Sequence, residues 1–148
     1  MLTNYAINLM ADAAMRGQTI TFPATRYVAL FTGLPTRAGG GTELVAAGYS
    51  RVAVASSLAN WSGTQGAGTT SASSGSSAQI TNNVAVSWGV ITVAWNLIAG
   101  FGLYDAASGG NLWDFGYIVD ADGDSIKRSF GVGDTVSFDP GTLVLDFA

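Results

Sequence analysis

The sequence predicts a mainly β protein: an antiparallel β-sandwich, jelly-roll-like, with one short N-terminal α-helix and a long Ser/Gly-rich loop or arm. Three observations predict it. Helical periodicity is confined to the first residues. Alternating and short apolar runs fill most of the remainder. Gly, Asp, Asn and Pro punctuate those runs at a spacing of roughly 8–12 residues. At 148 residues the chain is about one domain long, and 1–148 is read as a single domain able to bury its own core.

Residues 3–16 carry the helical pattern. Thr3 is placed to cap the start and Gly17 to stop the end. Tyr5, Ala6, Leu9, Met10 and Ala13 recur on one face, and Asn4, Asn8, Asp12 and Arg16 form a polar stripe at i, i+4 spacing. The period then changes from helix to strand. Residues 26–32 read as a strand closed by Gly33-Leu34-Pro35, residues 36–48 as a loop around Gly39-Gly40-Gly41, and residues 49–55 as a second strand. Residues 84–88, 90–95, 100–104 and 111–119 read as further strands. The last three lie around 126–130, 135–138 and 142–147, after a turn at 120–124.

Residues 56–79 differ from the rest. Serine, glycine and threonine dominate them and they carry no charge. Such a segment cannot form its own core, so it is read as a disordered loop or as an extended arm laid on a neighbour. Trp61 near its start favours the arm, because an indole is a large apolar anchor. From Val52 to Tyr104 there is no charged residue, and this half is read as packed on both sides, in a sandwich or at an interface. The uncharged run 84–104 is long enough for a membrane span, but its Ser, Gly, Thr and Asn and its β-branched content fit consecutive buried strands better. The N-terminus lacks a cationic region of the kind a secretory signal carries.

Composition narrows the chemistry. There is no cysteine and no histidine, which excludes disulfides, thiolate chemistry, imidazole bases and His-ligated zinc. Net charge is −4 and the pI is about 4.3, which argues against nucleic acid as a partner. Charged residues are only 11% of the chain and hydrophobic residues 48%, a balance that suits a surface covered by neighbours.

Candidate chemistry is sparse. Asp120, Asp122 and Asp124 alternate as calcium ligands can, yet the EF-hand glycine and glutamate positions hold Ser125 and Gly131, so the segment reads as a turn. Glu43 with an aspartate could form a glycosidase pair, but the aspartates after residue 100 stand at turns and strand ends. Lys127 with Ser125 or Ser129 could form a Ser-Lys dyad and reads better as an edge-strand cation. No phosphate loop or dinucleotide fingerprint occurs. No catalytic, metal or cofactor residue is therefore assigned. The interface candidates are Trp61, Trp88, Trp95 and Trp113, together with the stripe Asn4, Asn8, Asp12 and Arg16. Trp113, with Asn111 and Asp114, also suggests a carbohydrate-binding face.

Several phrases together resemble a family of small tailed-phage structural proteins described as phage tail fibre proteins. They are Ala29 to Gly33 with Pro35-Thr36, Gly41-Thr42-Glu43, Gly48-Tyr49-Ser50-Arg51, Asp105-Ala106 with Gly109-Gly110-Asn111-Leu112, and Gly133-Asp134-Thr135 with Phe138, Gly141 and Leu143. The likeness spans nearly the whole chain except residues 56–79. It departs around Trp95-Asn96 and is longer over 117–129. The resemblance implies a virion protein assembled in the host bacterial cytoplasm, not an enzyme. Its partners would be other phage virion proteins, of the tail or the major capsid, and further copies of itself. Three functions follow: a tail-fibre subunit, a capsid decoration (cement) protein, or a glycan-binding host-attachment module.

Overall fold

A computed structural model describes residues 1–66, 68–76 and 78–147. Its one helix, α1 (Asn4–Arg16), begins and ends where the sequence places it. The Thr3 side chain accepts the Ala6 N–H, and Gly17 closes the helix in the left-handed region at φ 66°. The same Thr3 hydroxyl donates to the Leu112 carbonyl at 2.6 Å, so the cap also docks the helix. Only Ala6 of the helix is fully buried, and Met15 is 86% exposed. The predicted apolar face is covered in part: Ala6 is buried, Leu9, Met10 and Ala13 are half-buried, and Tyr5 is exposed.

Among the described residues twelve strands follow, every ladder between them antiparallel. They are β1 (Thr25–Gly33), β2 (Thr42–Glu43), β3 (Val52–Ala55), β4 (Trp61–Ser62), β5 (Gln79–Asn82) and β6 (Val86–Val90), then β7 (Trp95–Ile98), β8 (Gly100–Tyr104), β9 (Leu112–Tyr117), β10 (Arg128–Phe130), β11 (Thr135–Phe138) and β12 (Val144–Asp146). One layer is a sheet ordered β2-β1-β8-β9. In it β3 takes the other half of the β1 edge that β2 uses. Residues 1–3 cover the outer edge of β9: Thr3 N–H donates to Trp113 O and Phe115 N–H to Met1 O, each at 3.0 Å. The facing layer is three short ladders, β10-β7, β11-β6 and β12-β5-β4.

The core lies between these layers. Val28, Val54, Phe101 and Leu103 of the main sheet pack with Val86, Leu143 and Leu145 opposite. Leu30 packs with Ile91, Trp95, Ile98 and Val136. The outer face of the main sheet is closed without a second layer of strands. Phe31 and Leu112 lie over Gly102, and Leu34 lies over Gly100. A Cβ at Gly102 would stand 2.7 Å from both Phe31 and Leu112.

Two bulges set which side chains face inward. β7 opposes Arg128–Phe130 with one residue extra, and Leu97 adopts φ 53° there. Residues three apart on a regular strand face opposite sides. The bulge instead lets Trp95 and Ile98 both point into the core, and it turns Leu97 out at 55% exposure. The extra residue Trp113 does the same on β9, where Leu112 and Phe115 share one face.

The structure corrects several sequence expectations. The loop over 36–48 contains β2. The second strand begins at Val52, because the chain turns at Ala46–Tyr49, with Gly48 at φ 77°. The strand expected at 90–95 is displaced to β7, since Ile91 binds the 131–134 turn instead: its N–H donates to Asp134 O and its carbonyl accepts from Gly133, both at 3.0 Å. Residues 56–79 contribute β4 and the start of β5, and both Ser73 and Ser74 bond back to Thr64. The segment therefore folds against its own chain, although residues 67 and 77 within it lie outside the described residues. The run 84–104 holds three strands, the number expected, with the middle one shifted. Within this chain alone the uncharged half is not covered on both sides, since Leu58, Val90 and Leu97 are all more than half exposed. No helix among the described residues is long and apolar enough to cross a membrane.

Gly100 gives the sharpest test of the close packing. An added Cβ there meets the Gly116 carbonyl and the Leu34 side chain at overlapping distance. Gly100→Ala should lower unfolding free energy by about 3 kcal/mol, the upper part of the overpacking range. Gly131→Ala, whose Cβ would meet only Asp134 Oδ2 at 3.7 Å, should change it by less than about 0.5 kcal/mol. Urea unfolding of both variants checks the pair.

Candidate functional site

Three distant segments meet at Arg51. Its Nε and Nη2 donate to Glu43 Oε1 and Oε2 at 2.9 and 2.7 Å, a bidentate pair. Its Nη1 donates to the carbonyls of Ala106 and Gly109, both at 2.8 Å. The guanidinium carbon stands 3.5 Å from the Tyr104 ring centre. Tyr49 completes the group: its hydroxyl donates to Glu43 Oε1 at 2.9 Å and accepts the Leu30 N–H at 3.0 Å. The Arg51 side chain is 7% exposed. Burial alone would raise the Glu43 pKa; hydrogen bonds from Arg51 and Tyr49 and the Arg51 charge outweigh it and hold the carboxyl below its ordinary value. Burial raises the Tyr49 hydroxyl, as does the Glu43 carboxylate it faces. Glu43 is thus neutralised in place and is no free acid or base.

A neighbouring loop is built on Asp105. Its carboxylate accepts the Asn111 N–H at 2.7 Å, the Asn111 amide at 2.9 Å and the Trp113 indole N–H at 3.3 Å. Trp113 is held on its other sides by Tyr5, edge-on at 5.6 Å, and by the Arg26 guanidinium at 4.4 Å.

Beyond Trp113, between the main sheet and the β12-β5-β4 ladder, lies a cleft of about 140 Å³. Arg26, Trp61, Ile80, Trp113, Asp114 and Leu145 are among its walls. Arg26 Nη1 and Asp114 Oδ2 are buried there with no hydrogen-bond partner among the described residues. Asp114 is 3% exposed; its Oδ1 accepts from the Met1 amino group at 3.2 Å. Burial raises the Asp114 pKa, the Met1 amino group opposes that, and the nearby Asp146 adds to it. Burial lowers the Arg26 pKa, with Asp105 and Asp114 opposing.

One end of the molecule is apolar and uncovered. Val45 is 94% exposed, Val132 71%, Val90 64% and Leu97 55%. The hydrogen bonds of Ile91 hold the 91–94 loop against the 131–134 turn, and Val45, Ala94 and Asn96 line one shallow hollow. The charge in that turn, Asp134, accepts the Gly131 N–H at 2.7 Å.

The segments joined at Arg51 are those whose phrases carried the fibre-protein resemblance, and the comparison with family models agrees with it. A model described as podophage GP4 fiber I protein gp80 matches residues 1–146. The chain belongs to this family. Comparison with curated proteins finds no match. The family match runs through residues 56–79, which the phrase-by-phrase likeness left out.

Within this fibre-family fold the predicted residues separate into two groups. Trp95 is 1% exposed, edge-on to Tyr49 at 5.7 Å, and Trp113 is 5% exposed; both belong to the chain's own packing. Trp61 and Trp88 are half-buried, with indole N–H groups donating to Ala55 O at 3.1 Å and Ser50 O at 2.8 Å. Their remaining edges face outward. The stripe Asn4, Asn8, Asp12 and Arg16 lies on the open side of α1, with Arg16 donating to Asp12 at 3.0 Å. Of the proposed trio, Asn111 and Trp113 both donate to Asp105, while Trp113 and Asp114 line the cleft. Asp120 Oδ1 accepts the N–H groups of Asp122 and Asp124, each at 3.0 Å, so this carboxylate shapes a turn. Lys127 is exposed, and Ser129 Oγ accepts the Leu97 N–H. Sequence reasoning missed Arg26, Arg51 and Leu97. Only Arg51 carried a signal, as part of the Gly48-Tyr49-Ser50-Arg51 phrase.

Two outcomes are expected at the Arg51 group. Arg51→Lys keeps the charge but cannot make the forked pair and reach two carbonyls, so it should destabilise by about 2–3 kcal/mol in chemical unfolding. The second concerns pH. Because the folded Glu43 titrates below its ordinary value of 4.5, the unfolded chain binds that proton first on acidification. The stability difference between wild type and Glu43→Gln should therefore be full at neutral pH. It should shrink as pH falls past 4.5 and through the folded value.

Proposed function

We propose that the chain is a non-enzymatic structural subunit of a podophage fibre, carried in the virion and joined to copies of itself through its apolar end. Family membership over residues 1–146 supports the fibre role. The observation that carries the contact is the exposure of Val45, Val90, Leu97 and Val132, of which Val90 and Leu97 lie in the uncharged run 52–104. Large apolar side chains gathered at one end of a small domain favour association, and association between copies of one chain is most often symmetric. The left-handed backbone at Leu97 is a further reason: a bulge that costs backbone strain holds an apolar side chain in solvent. The half-exposed Trp61 and Trp88 edges and the α1 stripe are then free for neighbouring virion proteins.

Sedimentation of the purified chain over a wide concentration range tests the contact. Reversible association is expected, with Leu97→Glu and Val132→Lys each shifting the chain to monomer at an unchanged melting temperature. A wild type that stays monomeric at every concentration would overturn self-association. Density for the chain in a virion map, with its copy number, tests the placement. Placement in a fibre supports the proposal. Hundreds of copies on the head lattice would replace it with capsid decoration.

A further inference from the structure

We infer that residues 19–22 of one copy add as a strand to the cleft between β10 and β11 of a second copy. This contact is distinct from the one through the apolar end and uses none of its residues.

The cleft is a place where the facing layer lacks a strand. β10 pairs with β7 alone and β11 with β6 alone, so each keeps one open edge among the described residues. Between them lies a cleft of about 420 Å³. Thr135, Val136, Ser137 and Phe138 all line it. Successive residues of a strand point to opposite faces, so a cleft lined by consecutive residues runs along the edge of β11 rather than over one face. Its apolar walls are within reach of solvent: Val119 is 50% exposed, Tyr117 is 42% exposed and Phe130 is half-buried. An open edge beside an apolar trough is a template for a strand from another chain.

The chain also carries a strand-like segment without a partner. Thr19-Ile20-Thr21-Phe22 consists of strand-forming residues and alternates polar with apolar. Thr19, Thr21 and Phe22 are exposed, and among the described residues no backbone group of 19–22 makes a hydrogen bond within the chain. The segment matches β11 in length, at 4 residues. Alternation lets Ile20 and Phe22 meet the apolar walls while Thr19 and Thr21 face outward. Charge agrees as well. No charged residue lies between Arg16 and Arg26, and the cleft pairs one cation, Arg128, with one anion, Asp139.

The segment is tied at both ends to its own chain. Gln18 N–H donates to Asp12 O at 3.2 Å, and Ala24 O accepts the Ser56 N–H at 2.8 Å. Phe22 rests against Trp113, near the opposite end of β9 from Tyr117. The cleft it fills is therefore a neighbour's. Strand and cleft are different surfaces, so the contact runs head to tail, the arrangement that builds rings or filaments. A strand this short binds weakly by itself and adds to copies already held side by side. The apolar-end variants therefore still give monomers in sedimentation.

The test titrates the acetylated, amidated peptide of residues 17–24 into the full chain, up to millimolar concentration, with backbone amides followed by NMR. Saturable binding is expected, with shifts at the amides of Ser129, Thr135 and Ser137. The same peptide with Phe22→Asp should bind about tenfold more weakly or worse, because a charge is set against apolar walls. Val119→Lys in the chain, at a half-exposed site, should weaken binding as much at an unchanged melting temperature. Absence of saturable binding to the wild type would overturn the inference. So would binding that leaves the β11 amides unmoved or survives both substitutions at full strength. A second arm uses the absence of cysteine. Chains with Thr21→Cys and chains with Ser137→Cys, mixed at high concentration under mild oxidation, should give more disulfide-linked dimer than Thr21→Cys mixed with Ser108→Cys, an exposed loop position outside the cleft. Equal yields would overturn a second copy as the occupant. Sedimentation reads the apolar-end contact separately, so either contact can fail alone.

Discussion

The fold depends on a buried guanidinium. Arg51 joins Glu43 of β2, the chain just before β3, and the loop between β8 and β9. Those segments bound the main sheet on one side, and none is long enough to hold its place through its own ladder. β2 has two residues. The loop carrying Ala106 and Gly109 has no regular structure. A fork of five donors can satisfy a carboxylate and two carbonyls at the same time, which no other side chain can do. Tyr49 extends the same group to the β1 backbone at Leu30, so the node reaches the centre of the sheet.

Around that node the sandwich is completed by irregularity rather than by length. The facing layer is three short ladders, and bulges at β7 and β9 each put residues three apart on one face. The consequence appears on the outside as well. The bulge that brings Trp95 and Ile98 inward puts Leu97 in solvent, and a buried aromatic core and an exposed apolar end arise from one backbone feature. Core packing and the proposed contact surface are thus coupled at β7.

Legibility differed between the fold and the site for a physical reason. Helix α1, β8 and β11 were readable to the residue, or nearly so, because local periodicity and caps decide them. β4 and β5 were not, since they pair within a segment whose own composition resembles a flexible linker. The four tryptophans were conspicuous in sequence, yet two lie within the chain's own packing. Their size signals burial but not whether the burial is internal. Arg26 and Asp114 show the opposite case. Arg26 stands in no chemical motif and Asp114 is noticed in sequence only as a neighbour of Trp113; β1 and β9 bring the two to one cleft.

The sequence by itself determined the secondary-structure class, the absence of thiol and imidazole chemistry, the N-terminal helix with its caps, and the phrases that tie the chain to a fibre family. These follow from residue identity and short-range spacing. Tertiary structure alone decided the partners of Arg51, the inward turn of Trp95, the outward turn of Leu97 and the placing of Arg26 and Asp114 at one cleft. Each of these rests on long-range register, and a single inserted residue at a bulge reverses which face a side chain takes. Spacing along the chain does not encode that reversal; it emerges only when the strands pair.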